Sequence, residues 1–178
     1  MFTNPTFVIT TLTLVSNIVF VLVILGLLID SKFRKLTYDF VDKNVLSLLF
    51  LTTLGALIGS LIYSNIVGYP PCELCWIQRI LMYPQALITF MAMLKKDKSI
   101  VVYLLPLSVL GALVAIYHSM VHWGVGVGLL ECTASAGECA KVYVLEYGYI
   151  TIPFMAFSSF VYLISISVIY YLARNGRE

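Results

Sequence analysis

The sequence predicts an all-α integral membrane protein with five transmembrane helices, and three observations support that fold class. Of the 178 residues, 61% are hydrophobic and only 11% are charged. The mean hydropathy is +0.97, and such a chain has too little polar surface for a soluble domain. The apolar residues also form runs of about 20, the length that crosses the hydrocarbon core as a helix. The bilayer is therefore the expected solvent, and a net charge of +2 does not suggest a nucleic-acid partner.

Five apolar segments are expected to be helices, because lipid offers a backbone no hydrogen-bond partners outside its own segment. The first two carry no charged residue, and the third carries one, Arg79. Pro84, Pro106 and Pro153 are expected either to kink their helices or to lie in a first turn. The segments cover residues 7–29, 45–67, 76–94, 100–118 and 150–172.

The basic residues predict the orientation of these helices. Three regions on one side of the membrane hold nine of the eleven Lys and Arg residues, whereas the opposite side has Lys141 and four glutamates. Since the positive side is normally cytoplasmic, we expect the N-terminus outside, the C-terminus inside and both cysteine-bearing loops outside. The first segment lacks a preceding basic residue and a cleavage site, so a retained helix is expected rather than a signal peptide. The nine residues are Lys32, Arg34, Lys35, Lys43, Lys95, Lys96, Lys98, Arg174 and Arg177.

The four cysteines form two pairs. Cys72 and Cys75 are separated by two residues at the start of the third segment, whereas Cys132 and Cys139 lie in the long outer loop within "ECTASAGEC". Closely spaced cysteines can close a disulfide or bind a metal. A helix N-terminus favours a thiolate, which would make the Cys72–Cys75 pair redox-active. A static loop disulfide at the second pair and a zinc site using all four cysteines remain alternatives.

Arg79 follows Cys75 by four positions, the spacing of neighbours on one helix face. Its guanidinium can stabilise a thiolate at Cys75 or donate hydrogen bonds to an oxygen-bearing ligand. The alternative is that Arg79 extends to the outer headgroups. His118, near the end of the fourth segment, is a candidate for the same site, whereas His122 beside Trp123 is typical of a membrane interface.

Disulfide exchange between the two pairs requires an electron acceptor. The sequence has no glycine-rich phosphate loop and no C-x-x-C-H haem attachment, because Trp76 follows Cys75. The expected acceptor is therefore one that resides in the bilayer, and a quinone beside Cys75 and Arg79 fits this requirement.

Three short stretches carry a family resemblance. "CELCWIQR", "YHSM" and "GYITIP" resemble the DsbB family of membrane disulfide oxidoreductases, in its short-loop, BdbC-like branch. The resemblance implies a four-helix bundle in the bacterial cytoplasmic membrane, with its core at residues 45–172. An additional N-terminal helix and cytoplasmic linker would occupy residues 1–44, and a cytoplasmic tail residues 173–178. Typical members have four spans, so the segment at 7–29 is an addition whose role the family does not explain.

The same resemblance implies an electron path from an extracytoplasmic, thioredoxin-like dithiol oxidase of the DsbA or BdbD kind to ubiquinone or menaquinone. By position, Cys132 would be attacked by the partner's thiolate. Cys139 would pair with Cys132 at rest and with Cys72 during transfer. Cys75 would form a charge-transfer adduct with the quinone.

Arg79 and His118 match family residues placed at the quinone, Arg79 as the group that binds and polarises it. No metal is expected. Other hypotheses are a vitamin K epoxide reductase-like enzyme, whose active C-x-x-C lies in a late helix, and a structural membrane protein with static disulfides. A zinc site is disfavoured because the second cysteine spacing is wider than usual.

Overall fold

The computed structural model describes residues 4–125, 139 and 141–175, so Cys132 lies outside the described residues. Within them, five helices are long and apolar enough to cross a membrane, which confirms the predicted all-α membrane fold. They are α1 (Pro5–Ile29), α2 (Ser31–Leu61), α3 (Glu73–Lys95), α4 (Val101–His122) and α5 (Ile152–Asn175).

The second helix begins fourteen residues earlier than its apolar segment predicted. The Asp30 side chain caps it by accepting the Lys32 N–H at 2.8 Å. The polar stretch that follows contains good helix formers such as lysine, arginine and leucine, so the helix continues through it. The stretch that the sequence suggested as a linker between two helices is therefore mostly the first turns of α2.

Helices α2 to α5 form a four-helix bundle, and its centre is closely packed. Leu49, Leu104, Phe160 and Leu163 are buried in one continuous cluster. A Cβ atom built on Gly111 of α4 would lie 2.2 Å from the Phe160 ring of α5. Because glycine has no side chain, α4 and α5 can approach each other closely here, as helices do at small residues in membrane proteins.

Helix α1 lies against the outside of this bundle, on α2 and α5. Tyr162 of α5 donates a hydrogen bond to Asn17 Oδ1 at 2.6 Å, and its hydroxyl lies 3.0 Å from Ser16 Oγ. The Phe20 ring packs on the same tyrosine with centroids 5.0 Å apart. The chain is therefore a four-helix bundle with one additional N-terminal helix, as the sequence predicted.

The C-terminal end of α2 continues as a π-helical turn, Ile62–Ile66. Such turns are rare and occur often at functional sites. The chain then turns at Gly68, where φ is +84°, and reaches Cys72, which caps α3. Three prolines were predicted either to kink a helix or to lie in a first turn. Pro84 and Pro106 lie inside helices, and Pro153 lies in the first turn of α5.

Candidate active site

The Cys72–Cys75 pair lies at the start of α3, as its position just before Trp76 predicted. Cys72 is the N-cap residue, and its sulfur accepts the Cys75 N–H at 3.3 Å. The two Sγ atoms are 2.8 Å apart and not bonded to each other. Because a disulfide has sulfurs about 2.05 Å apart, only a small side-chain movement separates this dithiol from a disulfide. The helix start therefore presents the pair in a geometry suited to redox exchange.

His118 of α4 faces the Cys72 sulfur. Its Nε2 lies 3.6 Å from Cys72 Sγ, and the ring is only 3% exposed. On the other side of the ring, the Gln78 amide nitrogen lies 3.1 Å from Nδ1. Since an amide NH₂ can only donate, Nδ1 accepts this bond and the ring proton is on Nε2, directed at sulfur. Gln78 thus sets both the orientation and the tautomer of His118.

The Cys72 thiol keeps its proton over the physiological range. The hydrogen bond with Cys75 and, secondarily, burial raise its pKa from 9.0 to about 12, while the nearby His118 opposes the shift. A thiol has low nucleophilicity compared with a thiolate. The two cysteines are therefore chemically unlike, although they lie side by side.

Arg79 lies one turn below Cys75, and its guanidinium is directed at α2. Its Nε donates to Ser60 Oγ at 3.0 Å, and a terminal nitrogen donates to the Ser60 carbonyl at 3.2 Å. The guanidinium also lies 5.2 Å from the Trp76 ring centroid, in cation–π contact. The one ion pair among the described residues joins Lys98 to Asp42, so no described carboxylate neutralises Arg79. Two of its five N–H donors are used by Ser60, which leaves others available to a ligand.

The second cysteine pair is only partly described. Cys139 is 2% exposed and packs in one cluster with Cys72, Leu74 and Val121. The structure therefore places one cysteine of the outer loop beside the pair on α3. The role predicted for Cys132 falls on a residue outside the described part and stays a prediction.

A cavity of about 640 Å³ is lined by residues of all five helices, with the cysteine pair at the end where α3 begins. Cys72, Cys75, Arg79 and His118 all line it. Most of the remaining lining is apolar, and the cavity is surrounded by helices that span the membrane. The structure thus brings four of the six predicted site residues together at one largely apolar cavity.

Three of these side chains are also close enough to hold one metal ion. The Cys72 and Cys75 sulfurs and a His118 ring nitrogen lie within 4.8 Å of one another. A structural zinc site takes four protein ligands. The four-cysteine zinc hypothesis depends on Cys132 and is therefore left open by the described residues.

Two polar residues of this region were not singled out by sequence reasoning. Gln78 and Ser60 hold His118 and Arg79 in place, but a glutamine or a serine within an apolar run carries no signal of its own. His122, which the sequence suggested as a membrane-interface residue, lines the cavity, and its Nε2 is buried without a hydrogen-bond partner in the described part of the chain. Its spacing of four from His118 places both rings on one helix face.

The fold and this site define a multi-pass membrane protein with a dithiol next to an apolar chamber. The family described as "Disulfide bond formation protein DsbB" matches residues 42–170. A "Probable disulfide formation protein" of Oceanobacillus iheyensis is 39% identical over 82% of this chain and 99% of its own length. A "Probable disulfide formation protein C" of Halalkalibacterium halodurans is 38% identical over 71% of this chain and 93% of its own length. The "Disulfide bond formation protein C" of Bacillus subtilis is 38% identical over 65% of this chain and 83% of its own length.

This chain belongs to the DsbB family of bacterial membrane proteins, as the resemblance implied. It is accordingly a disulfide-forming oxidoreductase of the membrane. No solved structure matches the chain.

Proposed function

We propose that this protein is a thiol:quinone oxidoreductase that reoxidises an extracytoplasmic, thioredoxin-like dithiol oxidase. The observation that carries the proposal is the placement of Cys75 and Arg79 on one wall of an apolar, membrane-embedded cavity. A sulfur and a cation without a described counter-ion are suited to an electron acceptor that is lipophilic and bears oxygen atoms. A quinone has both properties.

The electron balance of the reaction is simple. The partner's two thiols lose two electrons and two protons and become a disulfide, while the quinone gains them and leaves as a quinol. Between these two compounds, Cys132 and Cys139 receive the electrons first, and Cys72 and Cys75 deliver them. Each cysteine pair alternates between dithiol and disulfide and ends the cycle unchanged.

Cys72 is suited to the exchange step that links the two pairs. Breaking a disulfide at Cys72 leaves negative charge on its sulfur, and the Nε2–H of His118 is directed at that atom from 3.6 Å. Hydrogen bonds to charged acceptors are about twice as strong as neutral ones. Cys139 packs in the same cluster and is the nearby exchange partner that supports this step.

Cys75 and Arg79 are suited to the acceptor step. Both line the cavity, and Arg79 is held against α2 by Ser60, so its remaining N–H groups are fixed in position. We assign these donors to a quinone oxygen, where they would favour the negative charge that develops on reduction. Ser60 also accepts a hydrogen bond from Tyr83 at 3.2 Å, which makes it a common anchor for two side chains.

The proposed orientation follows from charge. With nine of eleven basic residues on the cytoplasmic side, both cysteine pairs face outward. Disulfides persist in that oxidising compartment, where a secreted thioredoxin-like oxidase would act. The long connection between α4 and α5, which carries Cys132 and Cys139, is the segment that such a partner would reach.

Purified protein in lipid nanodiscs tests the proposal. It should reduce a soluble quinone when supplied with a reduced, thioredoxin-fold dithiol oxidase, and Cys75→Ser and Cys132→Ser should each abolish turnover. Ser47→Ala serves as a control, because Ser47 is exposed on α2 and does not line the cavity. Full turnover in either cysteine variant contradicts the mechanism. Absence of quinone reduction in the unaltered protein, with both pairs permanently oxidised, would favour static disulfides instead.

A further inference from the structure

Helix α1 precedes residues 42–170, the region that matches the family, yet it lines the same cavity as the cysteines. Ile9, Leu12, Thr13 and Ser16 all contribute to the lining. Their spacing of three, four and seven places them on one helix face. This face of α1 closes a side of the cavity that α2 to α5 leave open.

The cavity is much longer than a quinone ring. Along α2 its lining extends from Leu51 to Ser64, thirteen positions or about 20 Å of helix. The redox groups occupy only the outer part, because Arg79 contacts α2 at Ser60. The deeper part, near Leu51 and Ala56, is lined by small and apolar side chains together with the hydroxyl groups of Thr52 and Ser16, and it lies near the middle of the apolar run of α2.

We infer that α1 is a wall of the acceptor site and holds the isoprenoid tail of the quinone between itself and α2. The inference rests on the proposed function, which places the quinone ring beside Cys75 and Arg79. Leu12 and Leu51 line the cavity and are each 64% exposed, so they form its rim. A tail attached to a ring at the outer end passes this rim and continues into the lipid.

We call the part of the cavity between α1 and α2 the passage, and its α2 side is open as well. Gly55 and Gly59 line the cavity, and a Cβ atom built on either would meet no protein atom within 4 Å. On the other side, the position of α1 is set by the Ser16 and Asn17 contacts to Tyr162 and by a 2.9 Å contact between Thr11 and the Tyr147 hydroxyl. The passage therefore has one wall, α1, that is held in place by hydrogen bonds, and a facing wall, α2, that carries no side chain at Gly55 and Gly59.

A pair of tryptophan variants in the full-length protein tests the inference. Leu12→Trp places a large ring on the cavity rim, whereas Ile18→Trp places the same ring on the opposite, exposed face of α1. Apparent KM values are measured in nanodiscs for a quinone with a long isoprenoid tail and for the same ring without a tail. Leu12→Trp should raise KM for the long-tailed quinone on the order of tenfold, the effect of losing one or two apolar contacts. KM for the tail-less ring, and both values in Ile18→Trp, should match the unaltered protein.

Gly55→Leu fills the passage from the α2 side and provides a second test if Leu12→Trp does not fold. It should raise KM for the long-tailed quinone selectively, as Leu12→Trp does. The assignment of α1 to the tail is wrong if folded Leu12→Trp or Gly55→Leu leaves KM for the long-tailed quinone unchanged, or raises KM equally for both quinones. The proposed function stands in that case. If the unaltered protein reduces neither quinone, the proposed function itself fails, and the inference fails with it.

Discussion

Arg79 of α3 is bound to Ser60 of α2 through both the serine hydroxyl, at 3.0 Å, and the serine carbonyl, at 3.2 Å. The contact holds a cation within the bundle, one turn below a cysteine and against a largely apolar cavity. It also joins the two helices on which the cavity is built, just before the π-helical turn of α2.

Arg79→Ala should weaken quinone binding. Hydrogen bonds to charged groups contribute about 1.5–3 kcal/mol, so apparent KM for quinone should rise roughly 10- to 100-fold. Steady-state quinone reduction at a saturating concentration of the thiol partner measures it. Arg174→Ala is the matched control, since Arg174 donates to Tyr170 at the far end of α5. An unchanged KM in Arg79→Ala would show that the guanidinium has only a structural role.

Gln78→Leu should slow thiol–disulfide exchange without affecting quinone binding. The change leaves Nδ1 of the buried His118 without its donor, so the ring proton is no longer held on the nitrogen that faces Cys72. We expect kcat to fall about tenfold, less than the roughly 10²–10⁴-fold of direct acid–base catalysis because Gln78 acts only through His118, with KM for quinone within about twofold.

Gln85→Leu is the control for that experiment. Gln85 is a second buried glutamine of α3, and it accepts a hydrogen bond from Ser108 far from the cysteines. Its replacement should lower thermal stability and leave kcat of the folded protein unchanged. Equal kcat losses in both variants would argue against a special role of Gln78.

The Cys72 thiol should be alkylated unusually slowly at moderate pH. Its pKa is raised to about 12, chiefly by the hydrogen bond with Cys75, and only the thiolate reacts. In the reduced protein, the labelling rate at Cys72 should still be rising at about pH 10, above the ordinary thiol value near 8.5. Mass spectrometry of peptides labelled across a pH series measures it. In Cys75→Ser the main cause of the shift is gone, so the midpoint should move back down; an identical midpoint would contradict the assigned cause.

Two glycine variants should have opposite effects on stability. Gly111→Ala places a methyl group 2.2 Å from the Phe160 ring, so we expect a loss of about 1–3 kcal/mol from overpacking. Gly55→Ala meets no atom within 4 Å and removes a helix glycine, so it should be neutral or stabilising by up to about 1 kcal/mol. Reversible unfolding in mild detergent compares the two. Similar changes of stability in both variants would show that α4 and α5 do not approach as closely as described.

The sidedness of the protein can be measured with single cysteines in a chain lacking the four native ones. Lys141→Cys, in the outer loop, should react with a membrane-impermeant thiol reagent added to intact cells. Lys35→Cys, in the first turns of α2, should react only after the membrane is opened. Both positions are exposed, so accessibility of the side chain does not distinguish them. The reverse pattern would contradict the orientation deduced from the basic residues.

Much of the architecture was predictable because it depends on local composition. Continuous apolar runs revealed the five spans, and the position of Trp76 right after Cys75 placed the cysteine pair at a helix start. The early start of α2 was missed, because a boundary drawn from hydropathy cannot include helical turns that are polar. The four-residue spacing of Cys75 and Arg79 correctly suggested that they face the same space.

Contacts between distant segments could not be predicted in this way. His118 was a candidate for the site, but its contact with Cys72, 46 positions away in the sequence, depends on the packing of α4 on α3 and could not be deduced. The cavity face of α1 does have a helical pattern, but a transmembrane helix with apolar residues on every side gives no sign of which face is used. Ser16 and Asn17 are the exceptions, since polar groups in such a helix usually face protein.

The most direct test of the central claim is an anaerobic measurement of stoichiometry. Protein in nanodiscs is mixed with excess reduced thioredoxin-like partner and a limiting amount of quinone, and both quinol and partner disulfide are quantified. We predict one disulfide formed for each quinol, with neither product in Cys75→Ser. Disulfide formation without quinol, or quinol formation that persists in Cys75→Ser, would contradict a path from dithiol to quinone through this cysteine.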